Sequence, residues 1–318
     1  MHHPPPYMPS TPPSAWNDGL RVFERGWLSS NNVLLHGEPG EGAVLVDASH
    51  TLHAAQTVAM MHAALGREAL VRVVNTHLHS DHCGGNAALQ RAFGCGIHIP
   101  PGLFPSAREW DADALSHATT GQTCERFEPE GVIAPGDVLQ VGRRRWQALA
   151  APGHDPHSIM LFDEQAGVLI SADALWQNGF GVVFPELDGE AGFAEVAAVL
   201  DLIDELAPRQ VIPGHGAPFS DVTEALARAR RRLAGFHADP QRHLQHGARV
   251  LMKYHLMEAR SQPWPELREW LSTTPLMATV WQRLGRPERE LATWGESVVR
   301  SLVDSGALAW REGVVYDA

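Results

Sequence analysis

Lysine is almost absent from this sequence. Lys253 stands alone among 25 basic residues, and the rest are arginine. That bias follows coding composition and points to no mechanism. Set against 37 acidic residues it leaves a formal net charge of −12, with a pI near 5.8. A chain whose main work is non-specific polyphosphate binding is thereby disfavoured, so nucleic acid is not the expected partner. Cysteine is scarce too. Cys83, Cys95 and Cys124 have no CxxC spacing; an odd trio argues against a disulfide framework and for a reducing cytoplasm. No apolar run reaches the ~18–20 residues of a membrane span. The opening MHHPPPYMPSTPPSAW has neither a charged n-region nor an apolar h-region. Residues 1–19 therefore read as a proline-rich arm and not as a secretory signal, and His2 and His3 are too few for a tag. Neither a GxSxG elbow nor a Walker loop occurs, so serine-hydrolase and NTPase mechanisms lack their signal.

What remains is a globular composition, 44% hydrophobic and 19% charged over 318 residues. That length suits one large domain with a smaller one. Short apolar strands alternate with helices from about residue 20 to 232. NNVLLHG, GAVLVDASH, ALVRVVNT and QVIPGHG read as strands. VLQVGRRRWQALAAPG and SIMLFDEQAGVLISAD read as hairpins turning at Gly142 and Gly167. Residues 51–66, 84–94 and 192–208 have helical spacing, with glycine or proline at their ends. The expected fold class is α/β, with two sheets and helices outside them. From about residue 233 the chain turns helical. Three helices and a short two-strand ribbon at Glu312–Gly313 have the pattern of a winged helix, so 233–318 is expected to be a separate small domain.

The chemistry concentrates where one strand ends. NTHLHSDHCGGN packs His77, His79, Asp81 and His82 into six positions. Neutral imidazoles and carboxylates are ligands for zinc and similar divalent ions. Two residues apart at a strand end, His77 and His79 can reach one point, and Asp81 and His82 a neighbouring one. Gly84 and Gly85 would let the chain turn into the next helix. A two-metal site needs more ligands. His154 in APGHDPHS, Asp173 in LISADALW and His215 in VIPGHGAP each follow an apolar strand, an unusual setting for surface residues.

HLHSDH resembles the HxHxDH signature of the metallo-β-lactamase-fold hydrolases. His154, Asp173 and His215 match the remaining ligands of that superfamily in order and type, and Asp47 in LVDAS is similar to its early strand-end aspartate. The resemblance runs from about Leu20 to Pro218. It implies an αββα sandwich and two divalent metal ions, zinc first, with manganese or iron also suited. One metal would take His77, His79 and His154, the other Asp81, His82 and His215, with Asp173 bridging. A hydroxide between the metals would be the nucleophile, oriented by Asp81, and Asp47 would orient a ligand from behind. The tail resembles the lactamase-beta-2-like branch, which carries a C-terminal winged-helix domain.

The superfamily cleaves thioesters, lactones, β-lactams, phosphoesters and RNA, so the resemblance names a reaction better than a substrate. A dinuclear metallohydrolase of a small acyl compound (thioester, ester or lactone) is the leading expectation. An endoribonuclease or phosphodiesterase, and a mononuclear iron persulfide dioxygenase, are the alternatives. Tyr7, Tyr254 and Tyr316 are the only tyrosines, which weighs against a glutathione-thioester pocket of Tyr and Lys. A small-molecule substrate is expected and no membrane; a homodimer is compatible with the sequence. Cys83 reads as a buried small hydrophobe, His157 as loop packing, and RARRRL (228–233) as a solvated helix face. Trp264, Trp270, Trp281 and Trp294 read as packing of the small domain. Among His237, His243, His246 and His255, one could reach the cleft. WQNGFGVVFPELDG is the candidate substrate loop.

Overall fold

The computed structural model describes residues 16–318; the arm expected over 1–19 lies outside the described residues up to residue 15, together with His2, His3 and Tyr7. Two mixed sheets form the centre. The first runs β1 (Leu20–Phe23), β2 (Asn32–Leu35), β3 (Ala43–Val46), β4 (Leu70–Val74), β5 (Gly96–Ile99) and β6 (Gly131–Val132), in that spatial order. Its first three strands pair antiparallel through short turns. From β3 onward the pairing is parallel, which demands crossover connections. These carry α1 (Ala54–Leu65), then α2 (Ser80–Cys83) with α3 (Asn86–Phe93), then α4 (Phe104–Glu109) and α5 (His117–Thr120).

The second sheet holds β7 (Val138–Val141), β8 (Arg144–Ala150), β9 (Ile159–Asp163), β10 (Val168–Ala172) and β11 (Gln210–Pro213), ordered β11-β10-β9-β8-β7. Only β10 and β11 run parallel; α6 (Phe184–Asp188) and α7 (Phe193–Leu206) lie in the connection between them.

Strand periodicity sorts the side chains into layers. Val44 and Val46 of β3 pack between the sheets with Trp146, Ile159, Leu161, Val168 and Ile170. Their alternates Ala43 and Leu45 pack outward with Met61 and Leu65 of α1 and Leu89 of α3. Met160, Phe162 and Leu169 face the other way, onto α7 and α8 (Val222–Ala238). Buried on both faces, these strands are near-continuous apolar runs, as in parallel and sandwich-core sheets. The layers are therefore α, β, β, α, as expected for this fold class.

The boundary expected between Arg232 and Leu233 falls inside α8, which runs unbroken across it. Beyond it, α9 (Pro240–Ala259), α10 (Trp264–Thr273), α11 (Pro275–Arg283) and α12 (Leu291–Asp304) enclose a fourth core containing Trp294. Val182 and Leu187 belong to that core, so the 176–190 loop joins it to the sandwich. The ribbon β13 (Leu308–Arg311) and β14 (Val314–Asp317) is one strand richer than expected: β12 (Ser261–Pro263) pairs with β14. Three residues ending in proline give no periodic signal, and proline suits the edge position that β12 occupies. Lys253 Nζ lies 2.5 Å from Asp317 Oδ1 and Arg260 Nη1 2.7 Å from Asp317 Oδ2, clasping the last strand to α9. Among the described residues no helix is long and apolar enough to cross a membrane.

His243 joins α9 to the sandwich. Its Nε2 accepts the Val183 N–H at 3.2 Å, and its ring sits against Phe193 and Phe236. Burial, then His246, Arg232 and Arg283, push its pKa down to about 3. The unfolded chain takes up this proton first as pH falls. The stabilising contribution is thus complete above the ordinary histidine pKa and drains away from pH 6.5 toward about 3. Urea unfolding should show about 2 kcal/mol lost through this group between pH ~7.5 and ~5. H243Q, which keeps an acceptor, should flatten that slope by a similar amount; an unchanged slope would contradict this role.

Candidate metal centre

The motif loop is held from behind by buried amides. Asn75 Nδ2 donates to the His82 carbonyl at 3.0 Å, and Asn86 Nδ2 to Asn75 Oδ1 at 2.7 Å. The Ala48 N–H also reaches the His82 carbonyl, at 2.7 Å. His79 is extended (φ −64°, ψ 149°), after which the chain enters the single turn α2. His77 and His79 thus share one side, while α2 swings Asp81 and His82 to the adjoining one. The glycines behind the motif work differently from expectation. Gly84 is right-handed helical (φ −61°), as is Gly85 (φ −87°), so neither makes a glycine-only turn. A Cβ on Gly84 would strike the Ser80 carbonyl and Thr51 amide, and one on Gly85 the Ala48 carbonyl. They permit close backbone approach.

His77, His79 and His154 form one buried cluster. His79 Nδ1 lies 3.0 Å from His77 Nε2 and 2.8 Å from His154 Nε2. His154 Nδ1 is 2.6 Å from the Val182 carbonyl, which assigns the proton to Nδ1 and leaves Nε2 bare. Burial, followed by the neighbouring imidazoles, holds His77 and His79 well below the ordinary histidine pKa. These rings are neutral, with ring nitrogens facing one another.

Asp81, His82 and His215 form the second cluster. His215 Nε2 is 3.0 Å from Asp81 Oδ2, and His82 Nε2 is 3.8 Å from the same oxygen. Burial alone would raise the Asp81 carboxyl; His82 and His215 outweigh it and bring it to about 2. Asp173 straddles both groups. Its Oδ2 is 3.3 Å from His154 Nε2, while Oδ1 is 3.6 Å from His82 Nε2 and 3.9 Å from His215 Nε2. Trp176 Nε1 donates to Oδ1 at 3.1 Å. Gly214 packs where a Cβ would strike that oxygen. The Trp27 ring stacks on His215 with centroids 5.3 Å apart.

Asp47 stands behind the second cluster. Its Oδ2 is 2.8 Å from His82 Nδ1, and its Oδ1 accepts the Thr76 N–H at 2.8 Å. His82 therefore directs Nε2 inward, where that atom is buried without a hydrogen-bond partner. An orphaned buried nitrogen costs about 1–3 kcal/mol. The donor chemistry (inward-facing imidazole nitrogens, ionised carboxylates and a carboxylate spanning both groups) fits two divalent cations.

A cavity of about 570 Å³ opens over these groups, within the range of small-molecule sites. Trp27, Trp176, Phe180, Val182 and Phe184 line it, so the WQNGFGVVFPELDG loop forms much of one wall. Helix α9 forms another, through His246, Arg249, Val250, Lys253 and Tyr254. Tyr254 and Arg232 were not anticipated there. The signal for Tyr254 was helical phase, because residues 246, 250, 253, 254 and 257 fall on one stripe of α9. Arg232 also corrects the reading of RARRRL as a solvated face. Arg228 and Arg230 do pair with surface aspartates, but Arg232 turns inward. Tyr254 Oη sits 2.9 Å from Ser80 Oγ, which donates to Gln122 at 2.7 Å. His157 lies against Gly102. Cys83 is buried, its Sγ 3.7 Å from that of Cys124.

A buried double cluster of His and Asp at the strand ends of a four-layer sandwich defines a metal-binding αββα protein. Residues 25–239 match the metallo-beta-lactamase superfamily, and the chain belongs to that superfamily. It is 30% identical over 166 residues to a hydroxyacylglutathione hydrolase of Synechococcus, covering 52% of this chain and 57% of that one. It is 26% identical over 157 residues to an acyl-coenzyme A thioesterase of Bos taurus, covering 45% and 54%. The chain thus spans about half the length of these curated relatives. A metallo-beta-lactamase family protein of Thermus thermophilus has a similar fold, with TM-score 0.56 and 20% identity, over 96% of this chain and 100% of that one. The case against a glutathione-thioester pocket rested on scarce Tyr and Lys, yet Lys253 and Tyr254 both line the cavity.

Removing the Asp47 carboxylate frees the His82 ring and its tautomer. Asp47→Asn should weaken metal binding about 10–100-fold, read by chelator competition on the metal-depleted protein. Equal affinity in both proteins would show that His82 is oriented by something else.

Proposed function

We propose that this chain is a dinuclear metal-dependent hydrolase of acyl thioesters. The observation that carries the reading is the position of Asp173 between two buried clusters at the base of a largely apolar cavity. His77, His79 and His154 would hold one ion and Asp81, His82 and His215 the other, with Asp173 shared. Two such ions, zinc first, supply Lewis acidity toward a carbonyl oxygen and activation of water near neutral pH.

The chain's own residues do the rest. Asp81, ionised and facing the cavity, is the group that orients the attacking water and takes its proton. Tyr254 and Ser80 fix the turn on which Asp81 sits. Trp27 and Trp176 confine the His215 ring, and Phe184 packs on His79 with centroids 4.6 Å apart. Thioesters are favoured among acyl compounds because relatives matched over about half of this chain bear the names hydroxyacylglutathione hydrolase and acyl-coenzyme A thioesterase. We read the tail as the winged-helix-like unit of the lactamase-beta-2-like branch, since three helices precede the β13–β14 hairpin. Its contribution here is a cavity wall.

The test is a panel of thioesters, esters and lactones on metal-reloaded protein. Thioester turnover should appear, vanish with chelator, and fall at least about 100-fold in kcat/KM in Asp81→Ala. Absence of turnover across the loaded panel would overturn the reading.

A further inference from the structure

The α9 wall is graded in charge. Its C-terminal end carries Tyr254, bonded to Ser80 beside Asp81, so that end marks the reaction centre. Arg249 lies five residues earlier and His246 eight, roughly 7 and 12 Å along the helix. Arg232 of α8 joins them, its Nη2 2.6 Å from His246 Nε2. The cavity of an acidic chain is thus lined by Arg232, Arg249 and Lys253.

These cations differ in what they touch. Lys253 is occupied by Asp317 and by the Ala307 carbonyl at 2.7 Å. Arg232 has no carboxylate within 4 Å among the described residues. It rests over the rings of Phe180 and Phe236 at 5.4 and 5.5 Å, and burial lowers its pKa without any countercharge. Arg249 makes one long contact, 3.4 Å to Ser305 Oγ. Other arginines are settled: Arg144 pairs with Asp163, Arg230 with Asp201 and Asp204. Arg25 lacks a carboxylate too, but four side-chain oxygens, from Asn32, Ser49, Gln56 and Thr57, satisfy it. A half-buried guanidinium stays charged and costs free energy until paired. His246, pressed to about 4 by burial and then by these arginines, is neutral and accepts from Arg232, aiming it.

We propose that Arg232 and Arg249 form an anion-recognition end of the cavity. It takes a carboxylate or phosphate that the substrate carries about 7–12 Å from the carbonyl reacting at the metal centre. Placing that carbonyl rests on the thioesterase reading; anion recognition itself does not. Between the two ends Val250, Leu251 and Leu302 face the cavity, so the connecting part of the substrate is apolar. The anion belongs either to the thiol half or to the far end of the acyl half.

Non-hydrolysable S-alkyl thioethers separate these cases in calorimetric titrations of the full chain, with and without metal. S-hexylglutathione and S-hexyl-coenzyme A carry anions on the thiol half. An N-acetylcysteamine thioether of an ω-carboxyalkane carries one on the acyl side, and S-hexyl-N-acetylcysteamine is neutral. At least one anionic probe should bind about tenfold tighter than the neutral one, and which probe does so identifies the half. Arg249→Gln should erase most of that advantage and Arg249→Lys restore part of it, while the neutral probe binds all three proteins alike, a check that they fold. Arg232→Gln should act in the same direction. Equal binding of all probes by the native protein, or an advantage that survives both glutamine variants, overturns the proposal. Because binding is read without turnover, a failure of thioester hydrolysis leaves this result standing.

Discussion

The Asp47 carboxylate is the tie on which the site depends. It sits at the end of β3 with a left-handed backbone, φ 59°, a conformation a non-glycine residue holds only when its surroundings over-determine it. The surroundings are the carboxylate's own bonds, to the Thr76 amide, the Thr76 hydroxyl and His82 Nδ1. One side chain thus joins the ends of two parallel strands and sets the tautomer of a metal-facing histidine. Ser49, two residues on, is also left-handed at φ 69°, and Ala48 and Ser49 bond the motif loop at His82 and Gly85. Local strain on β3 is offset by order in the loop that presents four candidate ligands.

That loop could be read directly from sequence because its ligands are crowded, and few other uses exist for three histidines and an aspartate within six residues. His154, Asp173 and His215 were legible for a different reason. Asp173 and His215 follow strands buried on both faces, and His154 follows the half-buried β8; a polar residue at such a buried strand end must find a partner inside. The long apolar strands also gave away the two-sheet architecture. Other features had no local signature. Gly84 and Gly85 look like turn glycines until the backbone behind them is known. Strand β12 is too short for a period. Arg232 is chemically identical to Arg228, Arg230 and Arg231; only its phase on α8 against Phe180 and Phe236 turns it inward. A tertiary contact decided each case, and no single-chain pattern encodes it.

Reactivity and selection reside on different parts of the molecule. Every candidate ligand lies in a segment that follows a strand of the sandwich, Asp81 and His82 on the single turn α2. The cations that would choose a substrate lie on α8 and α9, which contribute no ligand. Several links connect the parts, among them Val182 and Leu187 inside the C-terminal core, Val183 on His243, Ser80 on Tyr254 and Thr123 on Glu258. The first three touch either the motif loop or the 176–190 loop, so the wall is registered against the metal centre and not merely adjacent to it. Such an arrangement lets helix α9 change its side chains, and hence the substrate, while the Asp47–His82 tie and the bridging Asp173 stay intact. The two parts therefore tolerate change unequally. A ligand must keep both its place after a strand and the bonds that aim it, whereas the wall must keep the phase of two helices and the bonds from Tyr254 and His243 that register it.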